Sequence, residues 1–239
     1  MKEIKRQFYM RWEEMAVYLI IEAGLFLFGE AVLWIMVYVA GEKESIFPFG
    51  TVMTLVIFGF LMFFLGMSSV PMHFNTAVSM GATRRRIVPA ILCTSLVMYL
   101  AMAWFSFLLY HMEKWIFRIA YAGIPIEDDL GFLFRWKYIL PVCLVMIAVN
   151  VFMGALFLKV GKAAFVVFWF LWMLVFAGGP RLWHLMQSEQ DNAFLRLCRS
   201  IAELFMGFSE MGILAAVAAA SAVLVFVSWM MLRRQQVVI

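Results

Sequence analysis

Six runs of predominantly apolar residues, at about 15–40, 49–70, 87–110, 138–158, 163–180 and 211–232, are separated by shorter segments that carry most of the charge. About 20 apolar residues make a helix long enough to cross the hydrocarbon core of a bilayer. Backbone in lipid must satisfy its own N–H and C=O groups, which a helix does internally. The chain is 66% apolar and 14% charged, against roughly 45–50% and 25% in soluble domains, so its solvent is lipid. The expected fold is all-α: a polytopic membrane protein whose residues 1–239 form a single transmembrane domain of six helices. The longest stretch between apolar runs is about 30 residues, whereas an independent domain needs roughly 50. No soluble catalytic domain fits between the spans, and no catalytic residues are assigned.

The first 14 residues mix Lys2, Lys5, Arg6 and Arg11 with Ile4, Phe8, Met10 and Trp12, which suits an N-terminal interfacial helix lying in the membrane surface. The apolar run that follows is too long for a secretory signal and contains Glu22 and Glu30, so it reads as a retained span. Alternate connecting segments fall on the same side of the membrane. The set that includes both termini holds 11 of the 19 Lys and Arg in about 41 residues; the other set holds 8 in about 65. The positive-inside rule therefore puts both termini in the cytoplasm. Flanking charges also account for the net charge of +4 without a nucleic-acid partner. Cys93, Cys143 and Cys198 are odd in number, and two lie in apolar runs, so they read as packing residues rather than a disulfide framework. Residues 181–210 place apolar side chains at helical spacing among charges, which predicts an extracellular helical excursion.

Two acids inside the first span are costly in lipid and must face protein or water. Glu22 and Glu30 are eight residues apart, about 80° around a helix, and share a broad polar face. Interhelical hydrogen bonding explains them, as does a proton, cation or substrate pathway, with Asn150 of the fourth span a partner for either role. His73, His111 and His184 lie in separate segments and no metal-ligand spacing occurs, so no metal site is expected. Twenty Met and 41 aromatics fit lipid-facing packing and interfacial belts as the default, and a soft, adaptable lining for an apolar or amphipathic substrate as the alternative.

The segment from Pro71 to Pro89, PMHFNTAVSMGATRRRIVP, is polar and basic, with room for a helix over His73–Met80 that Gly81 stops. By themselves the arginines set topology. The pattern of Phe74, Ser79, Met80, Gly81, Thr83, Arg84 and Arg85 resembles the intracellular loop between spans two and three of bacterial ABC-2 type transporter permeases. The layout of a six-span chain with both termini inside is similar to that family over nearly its whole length; the long connection at 111–137 has no counterpart role.

The resemblance implies that residues 71–86 contain a cytoplasmic coupling helix. Its residues His73, Phe74, Asn75, Ser79 and Met80, with Gly81, Thr83, Arg84 and Arg85 beyond it, would dock on a soluble nucleotide-binding ATPase subunit. It further implies a location in the bacterial plasma membrane, a second copy or a homologous permease subunit alongside, and export or clearance of a lipid-like, peptide or antibiotic-like substrate. The phosphate-cradling G-x-x-x-x-G-K-[ST] pattern is missing. Its nearest approach, Val160 to Ala163, lacks the hydroxyl and the first glycine. ATP and magnesium are therefore expected on the partner subunit, with no cofactor in this chain. The other reading is an ATPase-independent membrane protein, either a proton-coupled carrier that uses Glu22 and Glu30 or a toxin-immunity protein.

Overall fold

The computed structural model describes residues 2–41, 45–126, 130–161 and 209–234, together with 163, 164, 166, 168–170 and 173. Among these, five helical segments are long and apolar enough to cross a membrane. Helix α1 is Lys2–Tyr38. Helix α2, Phe49–Phe60, passes through a widened π turn at Leu61–Leu65 directly into α3, Gly66–Ser79, and the three make one crossing. Helix α4 is Arg84–Ala120, followed by a short 3-10 helix at Leu130–Phe134. Helices α5, Trp136–Val160, and α6, Glu210–Arg234, complete the described set. The fifth expected span lies largely outside the described residues; those of its residues that are described, from Ala163 to Met173, are helical. The excursion at 181–210 lies outside them except for its last two residues.

Two expected short helices are continuous with longer ones. The interfacial helix over residues 1–14 is not a separate unit, because α1 runs unbroken from Lys2. No Gly or Pro interrupts the chain before Gly24, and Gln7, Arg11 and Met15, successive turns of one stripe, are buried against the bundle. The segment expected to hold a coupling helix is continuous with the second crossing. Residues 73–79 are the last turns of α3, held against the bundle because Phe74 and Ala77 are buried in the main core. Likewise α4 continues ten residues past the apolar run that ends near 110, as Phe117 and Tyr121 bury at the far end.

One core cluster fixes the direction of the helices. Met15 of α1 and Ile87 of α4 meet Phe74 of α3, Ala155 of α5 and Leu232 of α6. The starts of α1 and α4 and the finishes of α3, α5 and α6 therefore share one end, called here the basic end for its Lys and Arg. At the opposite end a smaller cluster joins Leu33 and Val37 of α1 with Ile46, Phe117 and Tyr121. There the Ile46 N–H donates to the Pro125 carbonyl over 2.9 Å, tying two connections together.

Midway, the π turn opens a backbone carbonyl to side chains. Asn150 of α5 donates to the Met62 carbonyl over 2.6 Å and to the Tyr99 hydroxyl over 2.6 Å, and Tyr99 of α4 donates to the same carbonyl over 3.2 Å. Gly66 sits against this triangle; a Cβ there would run into the Tyr99 hydroxyl and the Asn150 amide. Gly66→Ala should destabilise the bundle by about 1–3 kcal/mol, the usual cost of overpacking. Gly24→Ala, which meets open space, should not. Thermal unfolding of the two variants in one detergent measures the difference.

Candidate functional site

The polar residues of the spans gather along the seam between α1 and α4. Arg11 donates to Ser95 over 2.7 Å, Glu22 faces Ser106, Glu30 lies against Glu113, and the Tyr38 hydroxyl donates to the Ala120 carbonyl. Partners are offset by 82 to 84 residues throughout, so the two helices run parallel and in register. At a rise of 1.5 Å per residue the column from Arg11 to Tyr38 is about 40 Å long. Lipid on the outer faces leaves this seam as the place where charge can be held, because an unpaired charge in hydrocarbon costs several kcal/mol.

At the basic end, Arg11 is buried and also approaches Glu14 at 3.5 Å. Glu14 in turn meets Nε2 of His73 at 3.0 Å. This chain of contacts joins α1, α3 and α4, and consumes charges that sequence reading put at the membrane surface. Nearby, Arg6 donates from both terminal nitrogens to the Met80 carbonyl, at 3.3 and 3.4 Å.

The turn that follows α3 is closed from within. The Gly81 N–H donates to Val78 over 2.9 Å and the Ala82 N–H to Ala77 over 3.0 Å, the paired bonds of a glycine-stopped helix. Gly81 has a φ of +81°, where a side chain would be strained. The expected coupling residues divide here into two sets. His73 and Phe74 are buried and anchor the turn, whereas Ser79, Met80, Gly81 and Thr83 are exposed and Asn75 is half-buried. Arg84 and Arg85 open α4, and their side chains lie outside the described ones.

At the opposite end, α2 begins after Pro48 with no side-chain cap of its own. Glu113 of α4 supplies one: its two oxygens accept the N–H groups of Gly50 and Thr51, each over 2.8 Å. A carboxylate at a helix N-terminus satisfies otherwise unpaired donors and complements the helix dipole. The reach depends on close packing, since a Cβ at Gly29 of α1 would stand 2.7 Å from the Gly50 Cα. Glu30 lies beside this pair, with Oε1 buried and unpartnered among the described residues.

Asn150 belongs to the Met62 and Tyr99 triangle, the helix-joining role that is usual for an asparagine inside a span, and is bonded there rather than to Glu22 or Glu30. Sequence reading missed Arg11, Glu14, Ser95, Tyr99, Ser106 and Glu113. The repeat of Glu14, Glu22 and Glu30 at eight-residue intervals was the signal for Glu14, and the apolar run that resumes after Glu113 was the signal for that acid. No family model matches the chain, nor does any curated protein or solved structure.

Removing the Glu113 cap leaves two buried N–H groups unsatisfied, at about 1–3 kcal/mol. In Glu113→Ala, amides from Gly50 to Thr54 should exchange with deuterium about ten-fold faster or more, while those of α5 keep their rates; hydrogen exchange read by mass spectrometry reports both.

Proposed function

We propose that this chain is the membrane-spanning subunit of an ATP-binding cassette transporter of ABC-2 type. It is not an enzyme in this reading, and a separate soluble ATPase binds and hydrolyses the nucleotide. Two such subunits, identical or related, form the path, with both termini in the cytoplasm of a bacterial cell. The substrate class is a lipid-like, peptide or antibiotic-like molecule moved out of the cell or out of its membrane.

The observation that carries this reading is the Ser79–Thr83 turn. It is exposed, it sits at the basic end, and it joins two helices that each continue through the bundle. A push on it moves α3 through the buried Phe74 and α4 through its first turn, while Arg6 passes the displacement to α1. That is the mechanical arrangement a docked ATPase needs to switch a bundle between two packings. The docking surface becomes Asn75, Ser79, Met80, Gly81 and Thr83, with the arginines at the start of α4; His73 and Phe74 act beneath it.

Affinity purification from the native host in mild detergent tests the reading. A soluble protein carrying the phosphate-binding loop should co-purify at about one copy per chain, and Gly81→Pro combined with Arg84→Glu should lose it while the membrane chain is still recovered. A preparation without any ATPase overturns the proposal.

The column of carboxyl groups favours a second reading, a proton-coupled carrier, because two buried acids, Glu22 and Glu113, and the half-buried Glu30 lie along one seam. Under it Glu30→Gln abolishes transport and Gly81→Pro spares it. The ATPase reading expects the reverse order, and a transport assay on the two variants separates them.

A further inference from the structure

Between α2, α4, α5 and the short helix Leu130–Phe134 lies a cavity of about 240 Å³. Dry cavities of about 150 Å³ already take up a benzene ring, so this one has room for a compact ring system. Phe58, Met62, Phe134 and Met146 are among its walls, and Gly59 leaves one wall open. Apart from Ser106 and the phenol of Tyr138, every lining side chain is apolar or sulfur-bearing. The methionines can adapt their shape to a bound ring.

Ser106 is the feature that an empty packing defect does not explain. Its side chain lines the cavity, it is 1% exposed, and its hydroxyl has no hydrogen-bond partner among the described residues. Behind it stands Glu22, which is 0% exposed. Among the described residues neither carboxyl oxygen of Glu22 closes a hydrogen bond, and no cation is paired with it. Arg11, the buried cation on the same helix, is three turns away and engaged with Ser95 and Glu14. The cavity wall thus presents a donor-acceptor hydroxyl backed by a buried acid that no cation among the described residues accompanies.

We propose that this cavity binds a compact lipophilic amine, whose ring body fills the space between Phe58, Met62, Phe134 and Met146 and whose ammonium bonds to Ser106 and is neutralised by Glu22. A lipid tail would use the walls and ignore both polar groups. A neutral alcohol would satisfy Ser106 and leave Glu22 buried without a cationic partner. An ammonium serves both, since hydrogen bonds to a charged group are the stronger ones, and a largely apolar pocket with a few convergent polar groups is the usual form of a small-molecule site. The site assigns a role to the 111–137 connection, whose short helix supplies the Phe134 wall. The proposal does not depend on the ATPase reading, because binding is a property of this chain alone.

The test uses the purified full chain in nanodiscs at neutral pH, with tritiated 1-aminoadamantane as probe and 1-adamantanol as its neutral counterpart. The amine should bind saturably at one site per chain and about ten-fold or more tightly than the alcohol. Glu22→Gln should weaken the amine by about ten- to a hundred-fold, the worth of a charge-assisted bond, and leave the alcohol unchanged. Gly59→Phe, whose side chain enters open space, should abolish binding of both with the melting temperature retained. Lack of saturable amine binding to the unmodified chain overturns the proposal, as does equal affinity for amine and alcohol or undiminished binding in Gly59→Phe. The first two comparisons need only the unmodified chain, so a variant that misfolds does not remove the test.

Discussion

The register of α1 against α4 is the constraint on which the rest of the bundle depends. Most outward-facing surface of these helices meets lipid, which pairs with no polar group, so charge can reside only where two helices face each other. Arg11, Glu22 and Glu30 on α1 meet Ser95, Ser106 and Glu113 on α4 at a constant offset. A slip of one residue would turn each of these side chains by about 100° and expose several to lipid at once. Each contact is modest, but together they leave one alignment. That alignment in turn aims Glu113 at the start of α2 and puts Ser106 in the cavity wall.

The α2–α3 crossing is organised by a different device. Its π turn releases the Met62 carbonyl to Tyr99 and Asn150, so that α4 and α5 are both bonded to one backbone atom near mid-membrane. The price is steric, as only a residue without a side chain fits at Gly66. Above and below this point the crossing is pinned by Glu113 at its start and by Glu14 through His73 near its finish. An element held at three heights moves as a unit, which is why a displacement of the Ser79–Thr83 turn would travel into the bundle.

The two proposals use opposite ends of this arrangement. Docking concerns the exposed turn at the basic end, where side chains are polar and the backbone is stiffened by the glycine-stopped helix. Ligand binding concerns an apolar cavity nearer the far end, bounded by the short helix after α4. Both lie on α4, which carries Thr83 before its first turn, Ser106 in the cavity wall and Glu113 beyond it. A rigid-body shift of α4 together with α1, which the seam holds in one register, would couple the two places.

By itself the sequence determined the apolar, helical character of the chain, the rough positions of the five long helices among the described residues and the Gly81 stop, because apolar run length and helix-breaking glycines act locally. It also marked Glu22 and Glu30 as residues that must face protein, since their cost in lipid does not depend on the neighbour. Only the tertiary structure decided which partner each polar group meets. Arg11 and Glu14 look like surface charges when the first 14 residues are read alone, and Glu113 looks like a loop acid. Their burial follows from α1 and α4 extending past their apolar runs, which happens because Met15, Phe117 and Tyr121 find cores to enter at the two ends. In the same way Phe74 reads as a docking residue until α3 is seen to continue against the bundle and place it in the core. Pairing between helices distant in sequence is set by packing geometry, and no local pattern encodes that geometry.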